Sequence, residues 1–187
     1  MVSKPLMFRK YLERELKLKL VYVIDSSKSE YYESKNPLYG KQVGAAFPSL
    51  AYEIDQAGKC YACDLSTASA FHSIRCLEAG IRAISRCLGI PDPTKAREKS
   101  WKFLLDEIEN TGIKPQWPNA SAKMTGDGKI FDELHGSLAA IQNPYRNSTM
   151  HLDAVYNGPD ALYIFQVVKG LMTRIASRMD ENGLPLA

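Results

Sequence analysis

The chain has no Gly-x-x-x-x-Gly-Lys loop, no Gly-x-Gly-x-x-Gly turn, no His-Glu-x-x-His pair and no Gly-x-Ser-x-Gly elbow. Without them, triphosphate cradling, dinucleotide binding, zinc proteolysis and serine hydrolysis lose their usual sequence support. No window reaches the roughly 18 apolar residues a membrane helix needs, and Met-Val-Ser-Lys-Pro is not followed by the apolar stretch of a secretory signal. Neither sign of charge dominates. The 24 basic and 21 acidic side chains leave a net +3, too even to name nucleic acid or an anionic surface as a partner. A cytoplasmic protein with no membrane partner is the expectation. Four cysteines would suggest a disulfide framework in a small secreted chain, but nothing in the sequence indicates secretion and the core can be built without staples, so reduced thiols are expected.

What is present is a globular composition, 45% hydrophobic and 24% charged, over 187 residues that suit one domain. No internal repeat is found. Residues 1–49 read as an N-terminal extension. Leu12, Leu16 and Leu20 keep helical spacing while Leu16, Leu18 and Leu20 alternate with lysines like a strand, which predicts a helix followed by an extended piece over Val21–Ile24. Asn36-Pro37, Gly40, Gly44 and Pro48 then punctuate a wrapping segment.

From Ala51, the residues Cys60, Cys63, Thr67, Ala70, Ile74, Leu77, Ile81, Ile84 and Leu88 recur at gaps of three and four, which predicts one long helix ended by Gly89 and Pro91. On such a helix Cys76 lies more than about 100° from Cys60 and Cys63. His72 lies opposite Cys63. The Cys60-x-x-Cys63 pair therefore reads as part of the apolar stripe, and no metal is expected. Asp92 and Pro93 predict the start of a helix carrying Trp101, Leu104, Leu105 and Ile108 inward until Gly112. Residues 111–128 read as a long loop. A further helix carries Ile130, Leu134, Leu138 and Ile141 and breaks at Asn143-Pro144, where Pro144 would open a new turn. Gly158-Pro159-Asp160 opens a last helix bearing Ile164, Phe165, Val168, Leu171, Met172 and Ile175, closed by Gly183. Four amphipathic helices point to an all-α fold, simplest as an antiparallel bundle over residues 50–187.

The segment Arg146-Asn147-Ser148-Thr149-Met150-His151 sets a fixed cation and a titratable imidazole beside an amide. Arginine grips phosphate in bidentate fashion and histidine moves protons near neutral pH, the two needs of RNA strand transfer. On a regular helix Asn147 and His151 share a face, while Arg146 lies about 140° from His151. The plainer alternative is that Arg146 pairs with a carboxylate and His151 caps a helix end.

Arg-Asn-x-x-x-His at the start of a late helix in an all-helical domain resembles the HEPN superfamily, many of whose members are metal-independent ribonucleases. The helix Phe71-His72-Ser73-Ile74-Arg75-Cys76-Leu77-Glu78 is similar to the one preceding the motif in HEPN-like bacterial proteins of unassigned function, and the likeness extends through Tyr156 into the final helix. It covers about residues 50–182, with the six-residue motif as its specific part. The resemblance implies a HEPN-like bundle that forms a homodimer with two Arg146–His151 motifs in one cleft, needing no cofactor. His151 would be general base or acid, Arg146 would hold the phosphate and Asn147 would orient one of them, with Arg75, Glu78, Arg82 and Tyr156 in support. Glu78 and Arg82 match an acid followed by a base in some members, although an i,i+4 salt bridge accounts for them equally. The implied partners are RNA substrate and an antitoxin or defence-system protein. A subgroup acting with nucleotidyltransferase antitoxins has Tyr two residues after the motif His, where this chain has Asp153. The alternative is a catalytically inactive HEPN-like nucleotide- or RNA-binding or dimerisation module, or a helical adaptor.

Overall fold

In the computed structural model the described residues are 4–19, 22–147, 149 and 154–186, and among them there is an all-α helical bundle with no strand, only an isolated bridge between Met179 and Pro185. The first described element is α1 (Lys4–Lys17), exposed from Pro5 to Lys17 except at half-buried Glu15. Val21, at the start of the predicted extended piece, lies outside the described residues. Residues 22–25 have no regular structure. The short helices α2 (Ser29–Tyr32) and α3 (Lys41–Ala46) follow within the wrapping segment. This segment is part of the core: Tyr39, Val43, Ala46, Phe47 and Leu50 are all buried.

The predicted long helix from Ala51 to Leu88 is two helices, α4 (Ala51–Ala62) and α5 (Ser66–Cys87). Asp64 takes a left-handed conformation (φ 57°) between them and reverses the chain. Ser69 Oγ then donates to the Ala57 carbonyl at 2.8 Å, and His72 meets Glu53 at 2.8 Å, so α4 and α5 are antiparallel. Periodicity concealed the break because both arms bury an apolar stripe, and a reversal that keeps both stripes facing inward leaves the spacing nearly unbroken.

The next helix, α6 (Trp101–Glu107), is capped by Ser100, whose Oγ accepts from the Phe103 amide at 3.3 Å. The predicted cap Asp92 instead pairs with Arg86 at 2.8 Å. Trp101, Leu104, Leu105 and Ile108 are buried as predicted. Gly112 does not end the helix. The chain widens into a π-helical stretch (Ile108–Ile113) and runs on through α7 (Lys114–Gln116). Gly112 serves close packing, since a Cβ there would lie 2.8 Å from Leu88 Cδ1. The predicted loop over 111–128 therefore shrinks to 117–125, within which Trp117 stacks on Phe131 at 5.6 Å.

Helix α8 (Gly126–Ile141) buries Phe131, Leu134, Leu138 and Ile141. The last helix, α9 (Gly158–Ala176), begins as its sequence predicts: Asn157 caps it, accepting from the Asp160 amide at 2.9 Å, and Pro159 occupies the first turn. It ends at Ala176, well before Gly183, which lies in a terminal turn against α5. Arg174 of α9 pairs with Glu133 of α8 at 2.6 Å, and Tyr145, just beyond α8, meets Tyr163 near the start of α9, so these two helices are antiparallel. α5 and α9 run the same way, joined near their starts by Thr67 and Tyr156 and further along where Gly80 meets Met172 and Ile175.

At Gly58 on α4 a Cβ would lie 2.4 Å from Leu38 Cδ1 and 2.6 Å from the Tyr31 carbonyl oxygen, so the wrapping segment rests on bare backbone there. Gly58→Ala is expected to destabilise the protein by about 1–3 kcal/mol. Gly136→Ala, on the exposed face of α8 with nothing within 4 Å, should stabilise it by about 0.5–1 kcal/mol. Urea unfolding of the two variants checks the opposite signs.

Candidate active site around Arg146

Pro144 controls the local geometry. It has no N–H to give to the carbonyl four residues back. The chain answers by widening into a π-helical stretch, Gln142–Asn147, that continues α8. The break predicted at Asn143-Pro144, with a new helical turn starting at Pro144, is thus replaced by a wider turn in the same helix. Arg146 sits half-buried in that turn. His151 and Asp153 lie outside the described residues, with Ser148 and Met150, and of Asn147 only the backbone is described.

The segment is tied down by hydroxyl groups. Thr149 Oγ1 donates to the Tyr145 carbonyl at 2.5 Å and lies 2.9 Å from the Tyr156 hydroxyl. The Tyr156 amide donates to Thr67 Oγ1 at 3.1 Å, which reaches the first turn of α5. The Tyr145 ring stands 6.1 Å from Tyr163 of α9, and burial, reinforced by Tyr163, raises the Tyr145 phenol above its ordinary pKa. Arg146 is thereby placed at the end of the bundle where α5 and α9 begin. The start of α5 has no side-chain cap and no acidic residue in its first turn, so its amides offer partial positive charge at that end.

The sequence-predicted supporting residues divide. Tyr156 belongs to this network. Arg75, Glu78 and Arg82 continue along the face of α5 that carries Thr67 and Phe71, but the helical rise puts Glu78 about 16 Å and Arg82 about 22 Å along the axis from Thr67. Arg82 and Glu78 form a 3.4 Å i,i+4 ion pair. Arg75 lies over the Phe71 ring at 5.6 Å and pairs with Glu53 at 2.9 Å, and the same carboxylate holds His72 Nδ1 at 2.8 Å. The Glu53–His72–Arg75 cluster was missed by sequence reasoning because its members lie on opposite arms of a hairpin taken for one helix. The clustered Asp64, Ser66 and Thr67 were the turn signal available.

The chain matches no protein-family model, no curated protein and no solved structure. The residues and their geometry therefore carry the functional reading. Among the described residues no helix is long and apolar enough to cross a membrane, and no group of three or more His, Cys, Asp or Glu could hold a metal ion.

All four cysteines are free thiols. Cys60 is half-buried and Cys63 caps α4, so the pair is not two steps of one continuous helical stripe running on through Thr67, Ala70 and Ile74, which belong to α5. Burial, with the Glu53 carboxylate adding to it, pushes the Cys76 thiol up to about 12. In the native protein at pH 8, mass-resolved alkylation by iodoacetamide should label Cys76 last, with unfolding needed for full reaction.

Proposed function

We propose that the chain is a metal-independent endoribonuclease acting through Arg146, Asn147 and His151. The observation that supports this best is that the residues flanking Arg146, Tyr145 and Thr149, are tied through Tyr156 to Thr67 in the first turn of a 22-residue helix. An arginine and a helix N-terminus at the same end of a bundle both suit a phosphodiester. Arg146 would hold the phosphate and stabilise the charge that develops on its oxygens. The RNA 2′-oxygen attacks phosphorus as its proton passes to an imidazole. The bond to the 5′-oxygen breaks and that oxygen takes up a proton. The products are a 2′,3′-cyclic phosphate and a 5′-hydroxyl. His151 is the imidazole in this scheme and Asn147 orients it or the phosphate. Two copies would bring two such segments to one cleft and supply both proton-transfer roles, and an antitoxin or defence-system protein would control the activity.

With mixed RNA and a chelator present, the wild-type protein should generate cyclic-phosphate ends. Arg146→Ala and His151→Ala should each lower the rate by roughly 10²–10⁴-fold. Cleavage at the wild-type rate in His151→Ala, or loss of the fold in that variant by circular dichroism, would replace the enzyme with a nucleotide- or RNA-binding module.

A further inference from the structure

An apolar cavity of about 300 Å³ lies between the wrapping segment and α4, but its walls Tyr39, Phe47 and Ile54 are already buried. The α4–α5 hairpin builds a more open constellation. Tyr52 and Glu53 come from the first turn of α4, and Phe71, His72 and Arg75 from the second and third turns of α5. Three rings stand in a row: Phe71 meets His72 at 5.6 Å and His72 meets Tyr52 at 6.4 Å, each pair nearly perpendicular. The Arg75 guanidinium lies over the Phe71 ring at 5.6 Å and closes one end of the row.

Glu53 fixes the row from beneath. One oxygen of its carboxylate accepts from Arg75 Nε at 3.0 Å and lies 2.9 Å from Nη2, and the other lies 2.8 Å from His72 Nδ1. That carboxylate is only 14% exposed, whereas Arg75 is 52% exposed along its side chain and Tyr52 is 65% exposed. Of the five N–H groups of an arginine, two are spent on Glu53 and three remain for a ligand. His72 Nε2 takes no hydrogen bond from any described residue. Groups already held in place lose little side-chain freedom on binding, which favours a ligand that needs this arrangement.

We propose that Tyr52, Phe71, His72 and Arg75 form a ledge for unpaired nucleotides, the rings stacking bases and Arg75 holding a phosphate, which rests on the ribonuclease reading for the strand and on the Glu53 cluster for the place. The ledge adjoins the end of the bundle that carries the motif. Phe71 follows Thr67 by one turn of α5, about 6 Å along the axis, and lies about 40° round from it, with Arg75 a further turn and 40° on. Thr67 in turn takes the Tyr156 amide at 3.1 Å. A strand gripped at the motif end lays its next nucleotides across this row. Every base has a face that stacks on an aromatic ring, and a guanidinium beside the rings suits the phosphate between bases. Bases inside a duplex have both faces occupied by their neighbours, so the ledge selects single strands. An apolar peptide side chain fits less well, because it would strip water from an imidazole and a guanidinium.

Fluorescence anisotropy with a 2′-O-methyl oligonucleotide, which has no 2′-hydroxyl to attack, reads binding by the full-length protein without cleavage. The probes are a single strand, the same strand in a duplex, and a strand of equal length whose central nucleotides are abasic. Wild type should bind the base-bearing single strand most tightly. Tyr52→Ala should weaken that binding roughly 5–150-fold and leave the abasic strand unaffected, while Tyr52→Phe, which keeps the ring, should match wild type. Arg75→Gln should weaken both single strands by the same factor and lower the slope of log affinity against log salt by about 0.7. A wild type that binds no strand, or that holds the duplex equally well, overturns the ledge and leaves the rings to a protein surface. So does a Tyr52→Ala variant that binds as wild type or loses both single strands alike. Cleavage of unmodified RNA is followed separately: ledge binding without cleavage sinks the ribonuclease reading alone, and cleavage with unchanged binding in both variants sinks the ledge alone.

Discussion

Helix α5 has to be covered on several sides at once, and the other elements are arranged around that demand. Ser69, Ala70, Ser73, Ile74, Cys76, Leu77, Gly80, Ile81, Ala83, Ile84 and Ser85 are all buried along it. Small residues dominate where neighbours come closest: a Cβ on Gly80 would stand 2.8 Å from Ile175 Cδ1, so α9 lies directly on backbone there. One amphipathic partner covers one stripe of a helix. Here α4 covers one side, α9 another and α6 with its π-helical extension a third, while the wrapping segment packs on α4 through α2 and on α9 through α3 and Tyr39, whose ring meets Phe165 at 5.0 Å.

Much of this was legible in the sequence, and the reasons differ by element. The start of α9 was readable because capping is local: Asn157, Pro159 and Asp160 act within one turn. The inward stripe of α6 was readable because four large apolar side chains leave few alternatives. The α4–α5 reversal was not, since Asp64 adopts its left-handed backbone with neither glycine nor proline to announce it. Gly112 and Pro144 misled in the same way. Each reads locally as a stop, yet tertiary packing holds the helix together through a π-helical stretch in both places.

For the site, sequence located the segment and structure supplied its setting. Arg146 and Tyr156 fall at one end of the bundle, whereas Glu78 and Arg82 lie far along α5. No spacing rule could separate them, because residues three and four apart share a face wherever they fall along a helix. The apolar concavity lies elsewhere, on the wrapping segment, and it is lined by neither Arg146 nor Tyr156. The cavity and the Arg146 end are therefore different surfaces of the same bundle.

Among the ties of the motif segment are those of Thr67, the Tyr145 carbonyl, Thr149 and Tyr156, which join hydroxyl and peptide groups. Mobile ions screen exposed charges over about 8 Å at physiological ionic strength, but they have little hold on such uncharged contacts. Ionic strength is therefore a weak lever on this part of the scaffold, and the Tyr145–Thr149–Tyr156–Thr67 contacts are expected to persist as salt rises.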